Sequence, residues 1–224
     1  MQSNQKLINS DKKPIELFQE WFEEAKKSEI NDPNAMNLAT ISSDGKPSSR
    51  IVLLKSYDDK GFVFYTNSNS KKGRAITNND SVALNFHWKT LQRQIRIEGN
   101  VSQISNAEAD EYYNSRPLGS RIGAWASLQS EELDDRSTLT KRVEEFETVS
   151  YTHLRAHETL RYLVCRLLLE KKFSDNDVPR PSHWNGYLVT PALIEFWQDM
   201  PFRLHDRLEF RMENDGWITR KLYP

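Results

Sequence analysis

The sequence predicts a mainly β fold, a closed or nearly closed barrel with helices at its periphery. Strand-period segments broken by turn signals follow one another before residue 105, only short helical patterns separate them, and alternation returns from Tyr187 onward. The opening helix, over 14–28, carries Ile15, Phe18, Trp21, Phe22 and Ala25 on one stripe, with Pro14 in its first turn, where a missing N–H is tolerated. Residues 31–34 break it. Strands over 36–41, 49–54 and 62–66, joined by turns at Ser43-Asp44-Gly45 and Asp58-Asp59-Lys60-Gly61, make an antiparallel meander. A short helix over 70–78 precedes strands over 82–88 and 92–101.

Helices over 107–115, stopped by Arg116-Pro117, and over 139–146 come next. Pro179-Arg180-Pro181-Ser182-His183-Trp184 is a rigid linker back to strands over 187–189, 194–198, 207–212 and 217–222. Glu213-Asn214-Asp215-Gly216 turns the last hairpin. No repeat or low-complexity tract divides the chain, so one domain over 1–224 is expected.

The chain's 224 residues suffice for a sizeable core. Its 31 Lys and Arg against 32 Asp and Glu argue against a nucleic-acid coat and a polybasic membrane surface. Met1 to Asp11 is polar, without the apolar core of a secretory signal, and nowhere does an apolar run reach bilayer length. The lone cysteine, Cys165, can form neither an internal disulfide nor a thiolate metal cage. A cytoplasmic protein without a metal site is the expectation.

Local positive clusters in a balanced chain point to local anionic ligands. Arg203, His205 and Arg207 recur with period two, which on a strand puts them on one face. Burying such a face is costly unless something negative meets it. A second group joins Arg50, Lys55, Tyr65, Thr66, Ser70, Lys71 and Lys72. Cations, hydroxyls and a helix N-terminus together suit a phosphate, although a solvated barrel rim accounts for the same residues. Tyr112, Arg116 and Ser120 form another phosphate-sized donor group if Tyr112 and Arg116 share a helix face at i, i+4; a tyrosine packed on an arginine stem is the alternative. Gln94, Gln129, Ser130, Trp197 and Arg207 offer amide, guanidinium and indole to a heteroaromatic ring, while a solvent-facing Gln94 and a core Trp197 are the plainer account. Histidine is the side chain suited to exchanging protons near neutral pH, which makes His205 a candidate for proton transfer, with an interface contact as the alternative.

These strings, Arg50-Ile-Val-Leu-Leu-Lys55, Val63-Phe-Tyr-Thr-Asn67, Arg93-Gln94, Asn114-Ser-Arg-Pro117, Ile122-Gly-Ala-Trp125, Gln129-Ser130, Ile194-Glu-Phe-Trp-Gln198 and Arg203-Leu-His-Asp-Arg207, occur in order. In them the chain resembles the pyridoxamine (pyridoxine) 5′-phosphate oxidase family over residues 14–147 and 171–224. The resemblance implies an FMN-binding split β-barrel, a homodimer with FMN in clefts between subunits, and no nucleic-acid or membrane partner. It implies that FMN is held by Arg50, Ile51, Val52, Leu53, Leu54, Lys55, Tyr65, Thr66, Lys71, Lys72, Gln94, Gln129, Ser130, Trp197 and Arg207. Lys55, Tyr112, Arg116 and Ser120 would then bind the phosphate of a B6 vitamer, with Arg203 and His205 beside its pyridine ring as the catalytic candidates. The implied chemistry is transfer of a hydride equivalent from the vitamer's C4′ to the flavin, hydrolysis of the imine for the amine substrate, and reoxidation by O₂ to peroxide.

The chain departs from the family pattern in three places. Ser70-Lys71-Lys72 stands where an Arg-Lys pair is usual, so a bidentate donor becomes a point charge. The chain begins close to its first helix, whereas longer members carry an upstream basic, tyrosine-bearing segment that covers the active site. Residues 148–170 have no counterpart, and their excision joins Glu147 to Lys171 at family spacing. They resemble translated sequencing-adapter read-through, so an extraneous insert is the preferred expectation, with a native segment as the alternative. Leu160, Leu163, Val164, Leu167 and Leu168 nevertheless form a helical apolar stripe, and His153 and His157 stand at i, i+4 with no third metal ligand. Two competitors remain: a split-barrel flavin oxidoreductase for another substrate, and a non-catalytic flavin or vitamer-binding module.

Overall fold

The structure, a computed structural model, describes residues 7–147, 178–214 and 216–224. The 148–170 segment, with Cys165, His153 and His157, lies outside the described residues. Two compact units are present: residues through Tyr65 with Arg74–Gln103 and Tyr187–Pro224, and Thr66–Gly73 with Ile104–Gly186. In chain order the elements are α1 (Pro14–Ser28), β1 (Ala35–Ile41), β2 (Pro47–Leu53), β3 (Ser56–Asp58), β4 (Gly61–Asn67), α2 (Lys71–Asn78), β5 (Ser81–Trp88), β6 (Arg93–Gln103), α3 (Asn106–Asn114), α4 (Leu118–Ala126), α5 (Arg136–Glu147), β7 (Trp184–Gln198), β8 (Asp206–Glu213) and β9 (Gly216–Lys221). The strands form a nine-stranded sheet ordered β2-β1-β5-β6-β7-β4-β3, with β8 added to β7 and β9 to β8. This mainly β half-barrel with peripheral helices is the split-barrel fold that the sequence led us to expect.

In the first unit, alternation drives strand formation. Val82, Leu84, Phe86 and Trp88 of β5, Ile95 and Ile97 of β6, Ile194 and Phe196 of β7, and Leu208 and Phe210 of β8 enter one core. α1 closes that core with Leu17, Phe18, Trp21, Phe22 and Ala25. Phe18 is fully buried, its ring 4.8 to 5.6 Å from those of Tyr57, Phe62, Phe86 and Phe22. Burying one such ring contributes about 1.5–3 kcal/mol.

Two glycines let backbones approach. A Cβ on Gly61, whose φ is 144°, would lie 2.0 Å from the Val189 carbonyl oxygen, and one on Gly99 would lie 2.1 Å from that of Thr190. Gly99 also marks a register shift between β6 and β7, so the ladder there has no room for a side chain.

In the second unit, Ala109, Tyr113, Ile122, Ala126, Val178 and Trp184 are buried. α3 starts at a capping box, in which Glu108 N–H donates to Ser105 Oγ and Ser105 N–H to the Glu108 carboxylate. Tyr113 donates its hydroxyl to the Arg121 carbonyl at 2.9 Å. Burial pushes its pKa up to about 12.

Several expectations are corrected. The segments 187–189 and 194–198 are one strand, β7, because Pro191 falls at the shifted register opposite Gly99 and does not end the pairing. Trp184, placed in a linker by the sequence, begins that strand. α4 was not foreseen, since the glycines at 119 and 123 dilute its pattern, and α5 begins earlier than residue 139. Arg203, His205 and Arg207 do not share a strand face. Pro201–Arg203 forms a short 3₁₀ turn with φ of 60° at Phe202 and 62° at Arg203, so only Arg207 lies in β8.

Candidate functional site

In the first unit the sheet register assembles one rung of the site. Gln94 of β6 lies opposite Trp197 of β7, and Trp197 opposite Arg207 of β8. Paired positions on adjacent strands project to the same face, so the amide, indole and guanidinium stand side by side. The neighbouring rung explains how Arg207 is held. Glu195, 3% exposed, accepts from Arg207 Nε and from Arg96 Nη1, each at 2.8 Å, and Arg96 continues to Glu98 at 2.7 Å. The bond to Glu195 raises the Arg207 pKa above its ordinary value. Arg207 Nη1 also donates to the Tyr223 carbonyl, which sets the guanidinium's direction. An acidic residue within the apolar run Ile194 to Trp197 was the signal for this buried ion network, and the sequence reading passed over it.

His205 lies against the same rung, its ring 4.6 Å from that of Trp197. Its Nδ1 is 2.9 Å from Asp199 Oδ1. Arg203 is exposed on the adjoining turn.

Along the Arg50 to Lys55 run, Val52 and Leu54 belong to the core, so only their backbone groups are available to a ligand. Ile51 and Leu53 are on the exposed side, as is Lys55. Arg50 donates to the Leu38 carbonyl, Thr40 Oγ1 and Ser48 Oγ, and burial lowers its pKa. The guanidinium is thereby fixed by hydroxyls of β1 and β2 that carried no sequence signal. Lys55 lines a cavity of about 390 Å³ with Phe22, Lys26 and Tyr57. Tyr65 is half-buried in β4.

In the second unit, Lys72 is 9% exposed and donates to Thr66 Oγ1 at 3.1 Å, Gln129 Oε1 at 3.3 Å and Ser70 Oγ at 3.4 Å. Thr66 also reaches Gln129 at 3.3 Å. Gln129, assigned from sequence to a ring-binding group, thus sits with the helix-start cluster at α2. Lys71 and Ser130 are exposed, and Ser130 has a φ of 73°.

Tyr112 and Arg116 meet, but not as a helical pair, because α3 ends at Asn114. Trp184 organises them: its ring stacks on Tyr112 at 6.1 Å and 11°, and the Arg116 guanidinium lies 4.8 Å above it. Burial lowers the Arg116 pKa, and among the described residues its buried Nη1 has no hydrogen-bond partner. A desolvated guanidinium with an unused donor suits an oxyanion. Ser120 is exposed in the first turn of α4. Among the described residues no helix is long and apolar enough to cross a membrane.

The half-barrel and its donor-bearing rung define a split-barrel protein. Residues 22–150 match the family described as pyridoxamine 5′-phosphate oxidase, and residues 184–224 match the pyridoxine 5′-phosphate oxidase C-terminal dimerisation region. A pyridoxine/pyridoxamine 5′-phosphate oxidase of Caulobacter vibrioides is 49% identical over 215 residues, covering 96% of this chain and 86% of the relative. One of Agrobacterium fabrum is 49% identical over 219 residues, covering 97% and 95%. The crystal structure of PhzG from Burkholderia lata 383, in complex with tetrahydrophenazine-1-carboxylic acid, is 31% identical, with a TM-score of 0.79 over 95% of this chain and 93% of that one. A pyridoxamine 5′-phosphate oxidase-related, FMN-binding protein of Nostoc punctiforme shares the fold, with a TM-score of 0.68 at 12% identity over 95% of this chain and 99% of that one. The chain belongs to the pyridoxamine 5′-phosphate oxidase family.

Proposed function

We propose that this protein is a cytoplasmic homodimeric oxidase that uses FMN and O₂ to convert pyridoxamine 5′-phosphate and pyridoxine 5′-phosphate to pyridoxal 5′-phosphate, releasing H₂O₂. The observation that carries it is the Gln94, Trp197 and Arg207 rung, in a chain nearly half identical to curated oxidases of that name. The residues fit the cofactor. The rung offers hydrogen bonds and an apolar surface to a flavin ring, and Lys72, Thr66 and Gln129 gather polar groups at the start of α2. With Arg50, Ile51, Val52, Leu53, Leu54, Lys55, Tyr65, Lys71 and Ser130 they would hold FMN. FMN held by these residues would supply the acceptor for a hydride equivalent from the substrate's C4′ and the route for those electrons to O₂.

The chain's own contribution is placement. Lys55, Tyr112, Arg116 and Ser120 would take the substrate phosphate, for which the unused Arg116 Nη1 supplies a donor. Arg203 and His205 would orient the pyridine, and fixing both partners lowers the entropic part of the barrier. A positive Arg207 stabilises negative charge that develops on the ring.

Residues 148–170 are foreign to this function in the proposed reading, which is supported by family matches that end at residue 150 and resume at residue 184. The likeness to PhzG favours a second reading, an oxidation in the same fold on a different substrate. Anaerobic titration separates the two. Purified protein should be yellow and release FMN on denaturation, and pyridoxamine 5′-phosphate should bleach the bound flavin. An FMN-loaded, folded sample that stays yellow would defeat the substrate assignment.

A further inference from the structure

We infer that Asp199 is a positioning residue for His205: its carboxylate accepts a hydrogen bond from Nδ1–H, leaves Nε2 as the lone-pair nitrogen, and braces the turn that carries Arg203. The catalytic use of this arrangement rests on the proposed function; the pairing itself does not.

The geometry selects the tautomer. Asp199 Oδ1 is 2.9 Å from His205 Nδ1, and the Met200 N–H points at the same nitrogen from 3.3 Å. A bare ring nitrogen would suit the amide, but would set lone pair against lone pair at the shorter carboxylate contact. A proton on Nδ1 turns that contact into a charge-assisted hydrogen bond. The nitrogen fixed by such a partner determines what the other can do.

Both ends of the contact are anchored. The Asp199 N–H donates to the Gln92 carbonyl, and the His205 ring rests on Trp197. Between them Phe202 and Arg203 hold left-handed backbone, at φ of 60° and 62°, in a turn whose Phe202 is 92% exposed. Such conformations are strained for residues with a Cβ and persist only when the surroundings hold them. A contact across the base of the turn, from residue 199 to residue 205, supplies that hold.

The test uses the FMN-loaded full chain, with Asp199→Asn and Asp199→Ala. Long-range ¹⁵N NMR of the imidazoles, with the His205 signal assigned from a His205→Gln sample, reads the tautomer without turnover. The parent should show Nδ1–H. Asn keeps the size but donates its amide to Nδ1, so the signal should invert to Nε2–H, and kcat/KM for pyridoxamine 5′-phosphate should fall roughly tenfold with FMN content unchanged. Ala should lose the preference and fall similarly. A merely structural contact would be rescued by Asn. Nε2–H in the parent, or an Asn variant with parental tautomer and turnover, would overturn the inference. A parent with Nδ1–H that oxidises no B6 phosphate would uphold the pairing and defeat the proposed function instead.

Discussion

Replacing Glu195 by Gln removes one negative charge from between two guanidinium groups while keeping the side chain's shape. Glu195 is 3% exposed and gives one carboxylate oxygen to Arg96 and the other to Arg207, each at 2.8 Å. A hydrogen bond to a charged group contributes about 1.5–3 kcal/mol. The Gln oxygen keeps one of the two, so one is lost outright and two cations are left facing a neutral amide. Arg96 is 43% exposed and retains Glu98, which reduces its share of the damage. The expected destabilisation is therefore about 2–3 kcal/mol, read by urea unfolding at fixed protein concentration with tryptophan fluorescence. Because the negative charge that directs Arg207 Nε is gone, FMN affinity should fall about tenfold, the equivalent of ~1.4 kcal/mol. A loss below about 0.5 kcal/mol, the range of ordinary surface substitutions, would refute the claim that Glu195 holds this rung together.

Arg203→Leu should impair turnover far more than FMN retention and Arg50→Leu the reverse; steady-state kinetics beside flavin content after gel filtration checks both, and equal effects would contradict the assigned roles. Tyr113 stays protonated in the folded protein to about pH 12 against an unfolded value of 10.0. Its contribution is complete below pH 10 and is lost as pH rises toward 12, so stability measured by denaturant should drop across that window and drop less in Tyr113→Phe. Removing residues 148–170 should leave solubility and turnover equal or better, whereas loss of the dimer or of FMN would show that the segment belongs.

Much of the barrel was legible because strands such as β1 and β5 alternate buried with more open positions. The 82–88 strand was foreseen within a residue of β5, and the 14–28 helix coincides with α1. Legibility failed where two rules competed. Period two in Arg203, His205 and Arg207 looked like a strand, yet Pro201 and two left-handed residues make a turn there. The segments 187–189 and 194–198 read as two strands, yet a register shift beside Pro191 keeps them one. The candidate site's donor groups were visible as motifs, but the residues that hold them were not. Glu195 and Trp184 act through neighbours distant in sequence, and no local pattern reveals a partner 99 positions away, as Arg96 is from Glu195; Thr40, Ser48 and Asp199 hold nearer neighbours through turns and strand pairing that their residue types do not announce.

Gln94, Trp197 and Arg207 stand on three successive strands, so their separation is inherited from backbone hydrogen bonding. Adjacent strands lie roughly 4.8 Å apart, giving a span of about 10 Å that side-chain substitution cannot stretch. A planar molecule read there would be measured against a ruler made of peptide groups, and new specificity would have to come from the chemistry at each mark because the spacing between marks is closed to mutation.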